Sequence, residues 1–306
     1  MLSYSFLFLT CLAQFQVPYR VGTGKDDVIE VLKRTPIDPP VGANDVNCKV
    51  TDDSPPVILV HGTFENQNNN WGALSPLLHN EGRCPWTFNF GKPPRARGGL
   101  MNLMRPAINL DDKYGLGDIE NSAQELANFV QIVLKQTGAK RVDLVGHSQG
   151  GMMPHVYLRD LGGAEFVRKF VALAPSNRGT DFSKAVPASV GGLVGRFYNV
   201  NQNVLNQLVR ELCVACLQQQ ENSAFMQKLN SKPLAAPSVE YTVIVSKYDS
   251  VVMPYENQYM VNAKNYLLQN ECPSNLATHM SISYDKRALG MVMNALNNQE
   301  TPLYCN

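Results

Sequence analysis

Residues 141–151 read R-V-D-L-V-G-H-S-Q-G-G, in which a serine stands between two glycines as G-x-S-x-G. A serine hydroxyl is a weak nucleophile until a neighbouring base takes its proton. Val142, Leu144 and Val145 make a short apolar run that reads as a buried strand, and Gly151-Met152-Met153 opens a helix beyond the serine. A strand that turns sharply into a helix forces Ser148 into a strained backbone conformation, where flanking side chains would collide; glycine removes them. The helix N-terminus behind Ser148 then favours developing negative charge. The chemistry on offer is attack by Ser148 on an ester-like carbonyl.

Placed after a strand and before a helix, this pattern resembles the nucleophile elbow of α/β-hydrolases, in which the acid and then the histidine follow the serine along the chain. Asp249 comes just after the apolar stretch E-Y-T-V-I-V of residues 240–245, at the carboxyl end of a strand. The rival acids Asp181 and Glu256 do not follow a strand directly. His279 is the one histidine beyond Asp249, while His147 and His155 are too close to Ser148 in sequence to complete a triad. The expected roles are Ser148 as nucleophile, His279 as base and Asp249 as the group that orients it. The oxyanion donors are expected from Thr63, in the loop after V-I-L-V, and from the N–H of Gln149. Each such donor is worth about 3 kcal/mol in the transition state. His61 reads as a brace for that loop, since a ligand role needs a metal cluster that the sequence lacks.

The elements that must position these residues follow a β-α rhythm. Val57-Ile58-Leu59-Val60, bounded by Pro55-Pro56, reads as a strand buried on both faces of a parallel sheet. Residues 67–71 are polar and read as a surface loop ahead of a helix carrying Leu74, Leu77 and Leu78. Residues 86–90 alternate aromatic and polar side chains and read as the next strand. Residues 91–117 form a long irregular connection with Arg95, Arg97 and Arg105, read as a solvated loop bordering the site. Asp118 is the N-cap and Gly138 the stop of a helix with apolar residues at helical spacing. Pro154 falls in the helix after Ser148, where a kink is expected. Phe170–Ala174 reads as a strand and residues 285–296 as a closing helix. Residues 25–34 read as a short helix before the prolines of 36–40. Residues 176–237, with a helix expected over 204–217, break the rhythm and are read as a cap insertion in preference to extra core. The fold class is therefore α/β, a mostly parallel sheet with helices on both faces and a small helical cap.

Length and composition agree with one such domain. The 306 residues carry a net charge of +1, with no basic stripe or acidic tract, so no nucleic-acid partner is expected. Residues 2–12 form an apolar run too short to span a bilayer, and residues 1–13 are read as a signal peptide, although no Lys or Arg precedes the run. No transmembrane segment is expected, and the domain is taken as 14–306, secreted to the extracellular side. With Cys11 removed, Cys48, Cys84, Cys213, Cys216, Cys272 and Cys305 remain, an even number that suggests disulfides with fifteen possible pairings. Cys213-x-x-Cys216 lacks a second metal-binding pair and reads as a structural bridge, so no metal is expected.

Taken together, V-I-L-V-H-G-T, S-A-Q-E-L-A-N-F-V, V-D-L-V-G-H-S-Q-G-G-M-M-P, L-A-P-S-N, C-V-A-C, Y-D-S-V-V-M-P-Y and H-M-S-I-S-Y-D make the chain resemble the class 2 lipases over residues 55–296. It is more distantly similar to fungal lipase B. The resemblance implies Ser148, Asp249 and His279 as the triad, Thr63 and Gln149 as the oxyanion hole, and the pairings Cys48–Cys84, Cys272–Cys305 and Cys213–Cys216. Arg178 departs from it, standing where the family tends to show histidine. The expected activity is a secreted, cofactor-independent carboxylic ester hydrolase, foremost a triacylglycerol lipase, with transient contact to a lipid interface. An acyltransferase or thioesterase would use the same triad, and a non-catalytic lipid-binding protein would keep only the fold.

Overall fold

The computed structural model describes residues 19–23, 38–92, 111–181, 210–303 and 305. The segments read as signal peptide and as helix 25–34 lie outside these residues, as do Arg95, Arg97, Arg105 and residues 182–209.

Six strands form one parallel sheet: β1 (Val57–Val60), β2 (Pro85–Thr87), β3 (Val142–His147), β4 (Val167–Leu173), β5 (Glu240–Val245) and β6 (Lys264–Leu267). Their order is β2-β1-β3-β4-β5-β6, and all five pairings are parallel. Every residue of β1 and β3 is buried, as continuous apolar runs require when helices cover both faces. The period of two sorts their side chains: Ile58, Val60 and Leu144 face one core, Val57, Leu59 and Val145 the other. On the first face lie α2 (Ile119–Thr137) and α4 (Pro154–Asp160), with Leu126, Val130 and Val156 in the cluster. On the second lie α1 (Leu74–Asn80), α7 (Leu268–Glu271) and α8 (Lys286–Asn297), with Leu74, Leu78, Leu268, Leu289 and Val292. Order reverses between β1 and β3, so the crevice beyond their carboxyl ends is where this architecture places ligands.

Local signals account for the helix ends. Asp118 caps α2 by accepting from Asn121 N, and Gly138 ends it in the left-handed region at φ 71°. The expected kink at Pro154 is a break: α3 (Gln149–Met152) stops and Pro154 opens α4 at its first positions. There the missing N–H would have had no intrahelical partner. Helix α8 is capped by Asp285. Its C-terminal carbonyls are held by cations: Lys169 Nζ lies 2.6 Å from Ala295 O, and Arg168 and Arg83 reach Leu296 O. The same two arginines pair with Asp143, buried on β3.

Two expectations need correction, and one strand carries no sequence signal. Residues 67–71 are not a surface loop: Gln67, Asn68, Asn70 and Trp71 are buried. Their amides stand in for missing ladder partners, with Asn68 Nδ2 donating to Asp38 O and Thr87 Oγ1 to Gln67 Oε1. The second strand covers only Pro85–Thr87, because Asn89 turns its side chain to Gln67 N and Phe90 stacks on His61 at 4.2 Å. The edge strand β6 carries exposed Lys264, Asn265 and Tyr266 and gave no apolar signal.

Of residues 176–237, the described parts dock tightly. Arg210–Leu212 are helical, Cys213 interrupts, and α5 (Val214–Gln218) and α6 (Ala224–Asn230) follow. Ala215, Met226, Leu229 and Ala236 join the first core. Three disulfides form: Cys48–Cys84, Cys213–Cys216 and Cys272–Cys305.

Candidate active site

Ser148 follows β3 directly, at φ 55° and ψ −121°, and α3 begins at the next residue. The glycines are fixed by contact. A Cβ on Gly146 would stand 1.8 Å from Gly150 O, and one on Gly150 would stand 2.1 Å from Val60 O. Ser148 is therefore presented at the crevice between β1 and β3 by backbone packing that tolerates no side chain at either flank.

Three loops converge on it. His279 Nε2 lies 2.9 Å from Ser148 Oγ, and His279 Nδ1 lies 2.6 Å from Asp249 Oδ2. Asp249, in the loop after β5, accepts Val251 N and Val252 N through Oδ1, both at 2.8 Å, and Gln258 Nε2 through Oδ2 at 2.9 Å. Burial alone would raise its pKa. The facing His279 and these donors outweigh burial and hold the carboxyl below its ordinary range. An ionised Asp249 accepts a hydrogen bond from Nδ1–H and so keeps the proton on Nδ1, which leaves Nε2 free to accept from the serine hydroxyl. All three side chains are buried. The acid on His279 is Asp249, and neither Asp181 nor Glu256.

Thr63 and Gln149 meet on the other side of Ser148. Thr63 Oγ1 donates to Gln149 Oε1 at 3.0 Å, and Gln219 Nε2 donates to Thr63 Oγ1 at 2.9 Å. Gln219 is itself oriented by Ser176 Oγ, which donates to its Oε1 at 2.8 Å. The Thr63 hydroxyl proton is thus committed to Gln149. The N–H of Gln149, first residue of α3, has no intrahelical partner. His61 braces the loop, with Nδ1 2.8 Å from Gly62 O and Phe90 N donating to Nε2. Burial lowers its pKa to about 4. His155 is also buried, beside Phe170 and Tyr241, with its pKa lowered to about 4 chiefly by burial. Among the described residues no group of three or more His, Cys, Asp or Glu could hold a metal ion, and no helix is long and apolar enough to cross a membrane.

Glu65, Gln219 and Gln258 were not singled out by the sequence. Nothing local marks them as parts of the site, since their contacts with His147, Thr63 and Asp249 each span at least nine positions.

The profile of the α/β hydrolase fold family matches residues 55–248, which span the sheet from β1 to Asp249's loop. The chain belongs to this family. Human lipase member M is 26% identical over 185 residues, which cover 55% of this α/β hydrolase and 42% of that protein. Aspergillus fumigatus lipase B superposes with a TM-score of 0.59 at 18% identity, over 86% of this chain and 55% of that one. The mature form of a Bacillus licheniformis lipase gives 0.55 at 14% identity, over 86% and 99%. The chain spans about half, or less, of the length of the human and Aspergillus relatives. At these identities the structural matches bear on the fold alone.

Proposed function

We propose that this α/β hydrolase is a secreted serine carboxylic ester hydrolase, a triacylglycerol lipase in its main activity. The observation that carries the reading is the unbroken hydrogen-bonded relay from Ser148 through His279 to Asp249, set on the strained turn after β3. His279 takes the Ser148 proton as Oγ attacks the ester carbonyl. Asp249 keeps the imidazole in the correct tautomer and stabilises its cation. The N–H groups of Thr63 and Gln149 hold the tetrahedral oxyanion. His279 then protonates the departing alcohol, and water, activated by the same imidazole, releases the acid from the acyl-enzyme. The mechanism uses no cofactor.

Lipidic substrates are favoured by Met280, the residue after His279, which is 52% exposed, with Leu276 on the same loop and Tyr248 beside Asp249 also exposed. These side chains suit transient contact with a lipid surface. Residues 176–237 would serve as the cap, with Gln219 reaching from them to Thr63. Three disulfides and the apolar run at 2–12 support secretion.

The test compares hydrolysis of short soluble esters with that of emulsified long-chain triacylglycerols, with Ser148→Ala as control. Long-chain turnover that is lost in the variant supports the proposal. Short-chain turnover alone removes the triacylglycerol assignment, and turnover that survives in the variant removes the mechanism.

A further inference from the structure

One buried carboxylate outside the relay connects three loops of the site. Glu65, in the loop after β1, accepts Gly62 N at 2.9 Å through Oε2. The same oxygen lies 2.9 Å from His147 Nδ1. His147 is the last residue of β3, immediately before Ser148, and its Nε2 lies 2.8 Å from the carbonyl oxygen of His279. A single chain of contacts thus runs from the oxyanion loop, through the end of β3, to the backbone of the proposed base.

We infer that Glu65 and His147 form a buried ion pair whose role is to position His279 and the Gly62-Thr63 loop against Ser148. The inference rests on the serine hydrolase reading and adds two positioning residues to it.

The donor inventory carries the argument. Both ring nitrogens of His147 face an oxygen acceptor, Glu65 Oε2 on one side and His279 O on the other. Neutral imidazole has one N–H; only imidazolium can donate to both. Asn70 Oδ1 accepts Gly62 N at 2.9 Å and lies 3.3 Å from His147 Nδ1, a second acceptor for that N–H, while Asn70 Nδ2, 3.1 Å away, is a donor and makes no bond to a protonated Nδ1. Glu65 and His147 are 4% and 0% exposed, so a charge on either without the other would be costly. Burial disfavours both charges, yet the pairing outweighs it, holding Glu65 below its ordinary range and His147 above. The remaining titratable groups that bear on the pair are His61, His279 and Asp249. The pair is also electrostatically placed, since the His147 and His279 rings are 4.9 Å apart. The Glu65 charge offsets the His147 cation beside the imidazole that must itself become positive during catalysis.

The experiment has two arms on the full chain. Nitrogen-15 NMR of the histidine rings in the unmodified protein should show His147 with both nitrogens protonated at neutral pH, and a neutral tautomer there overturns the pair. This arm needs no variant to fold and no substrate. The second arm measures Glu65→Gln, His147→Gln and the double variant. Each should lower kcat about 10- to 100-fold, as loss of precise positioning does. KM should stay within about twofold, and the double variant should be no worse than the poorer single one. A folded single variant with near-normal kcat, or losses that multiply in the double variant, overturns the positioning role. Ester turnover surviving in Ser148→Ala would instead fail the serine hydrolase reading, and the NMR arm would still judge the ion pair.

Discussion

Acidification to pH 4 should destabilise this fold through two histidines that it keeps neutral. His61 and His155 are buried, and each has its pKa lowered from 6.5 to about 4. At about 1.4 kcal/mol per pKa unit, that distance is worth about 3 kcal/mol for each ring. The sign follows from proton binding. Between pH 6.5 and 4 the unfolded chain binds protons at both positions while the folded chain resists, so stability falls as pH falls. Glu125, raised by burial, works the other way and gains stability as pH falls toward 4.5, which offsets part of the loss, and the other shifted groups leave this window largely flat. Asp249 and Glu65 are held below their ordinary range and lose their contribution only at lower pH. His147, raised, contributes fully below 6.5 and loses its contribution as pH rises through its folded value. Urea unfolding at pH 7, 5.5 and 4, followed by fluorescence of the buried Trp71 and Trp86, should show a loss of about 5 kcal/mol or more by pH 4. His155→Phe should remove about half of that difference. Stability that is flat from pH 7 to 4.5 would refute the argument, and so would a slope unchanged in the variant.

Other perturbations test the site piece by piece. Asp249→Asn presents an amide to His279 Nδ1 and favours the wrong tautomer, so kcat should fall about 10³- to 10⁴-fold with folding retained; stopped esterase assays and a melting curve check both. Gln219→Glu removes the donor to Thr63 Oγ1 and should lower kcat about tenfold with KM little changed, read from steady-state kinetics. Gly150→Ala places a Cβ against the Val60 carbonyl and should cost at least about 3 kcal/mol, measured by denaturant unfolding or as loss of soluble protein.

How much of this was legible depended on whether a signal was local. The strand Val57–Val60, the caps Asp118 and Gly138, and the Gly146–Gly150 turn each state their structure within a few residues. Its place directly after a strand selects Asp249 and chain order selects His279, and the folded chain brings His279 to Ser148 and Asp249 to His279. What escaped notice depends on distant partners. Residues 67–71 looked solvated because amides are usually exposed, yet here they satisfy buried backbone. Glu65 and Gln219 are tied to the site through His147 and Thr63, which are 82 and 156 positions away. In sequence His147 stands too close to Ser148 to complete the triad, and that closeness is what allows it to hold the His279 carbonyl.

The central claim is that Ser148 is the nucleophile. The most direct measurement treats the intact protein with a fluorophosphonate and maps the labelled peptide by mass spectrometry. One label per chain is expected, on Ser148, with labelling slowed strongly in Asp249→Asn. Labelling at another residue, or ester hydrolysis that continues after Ser148 is fully modified, would contradict it.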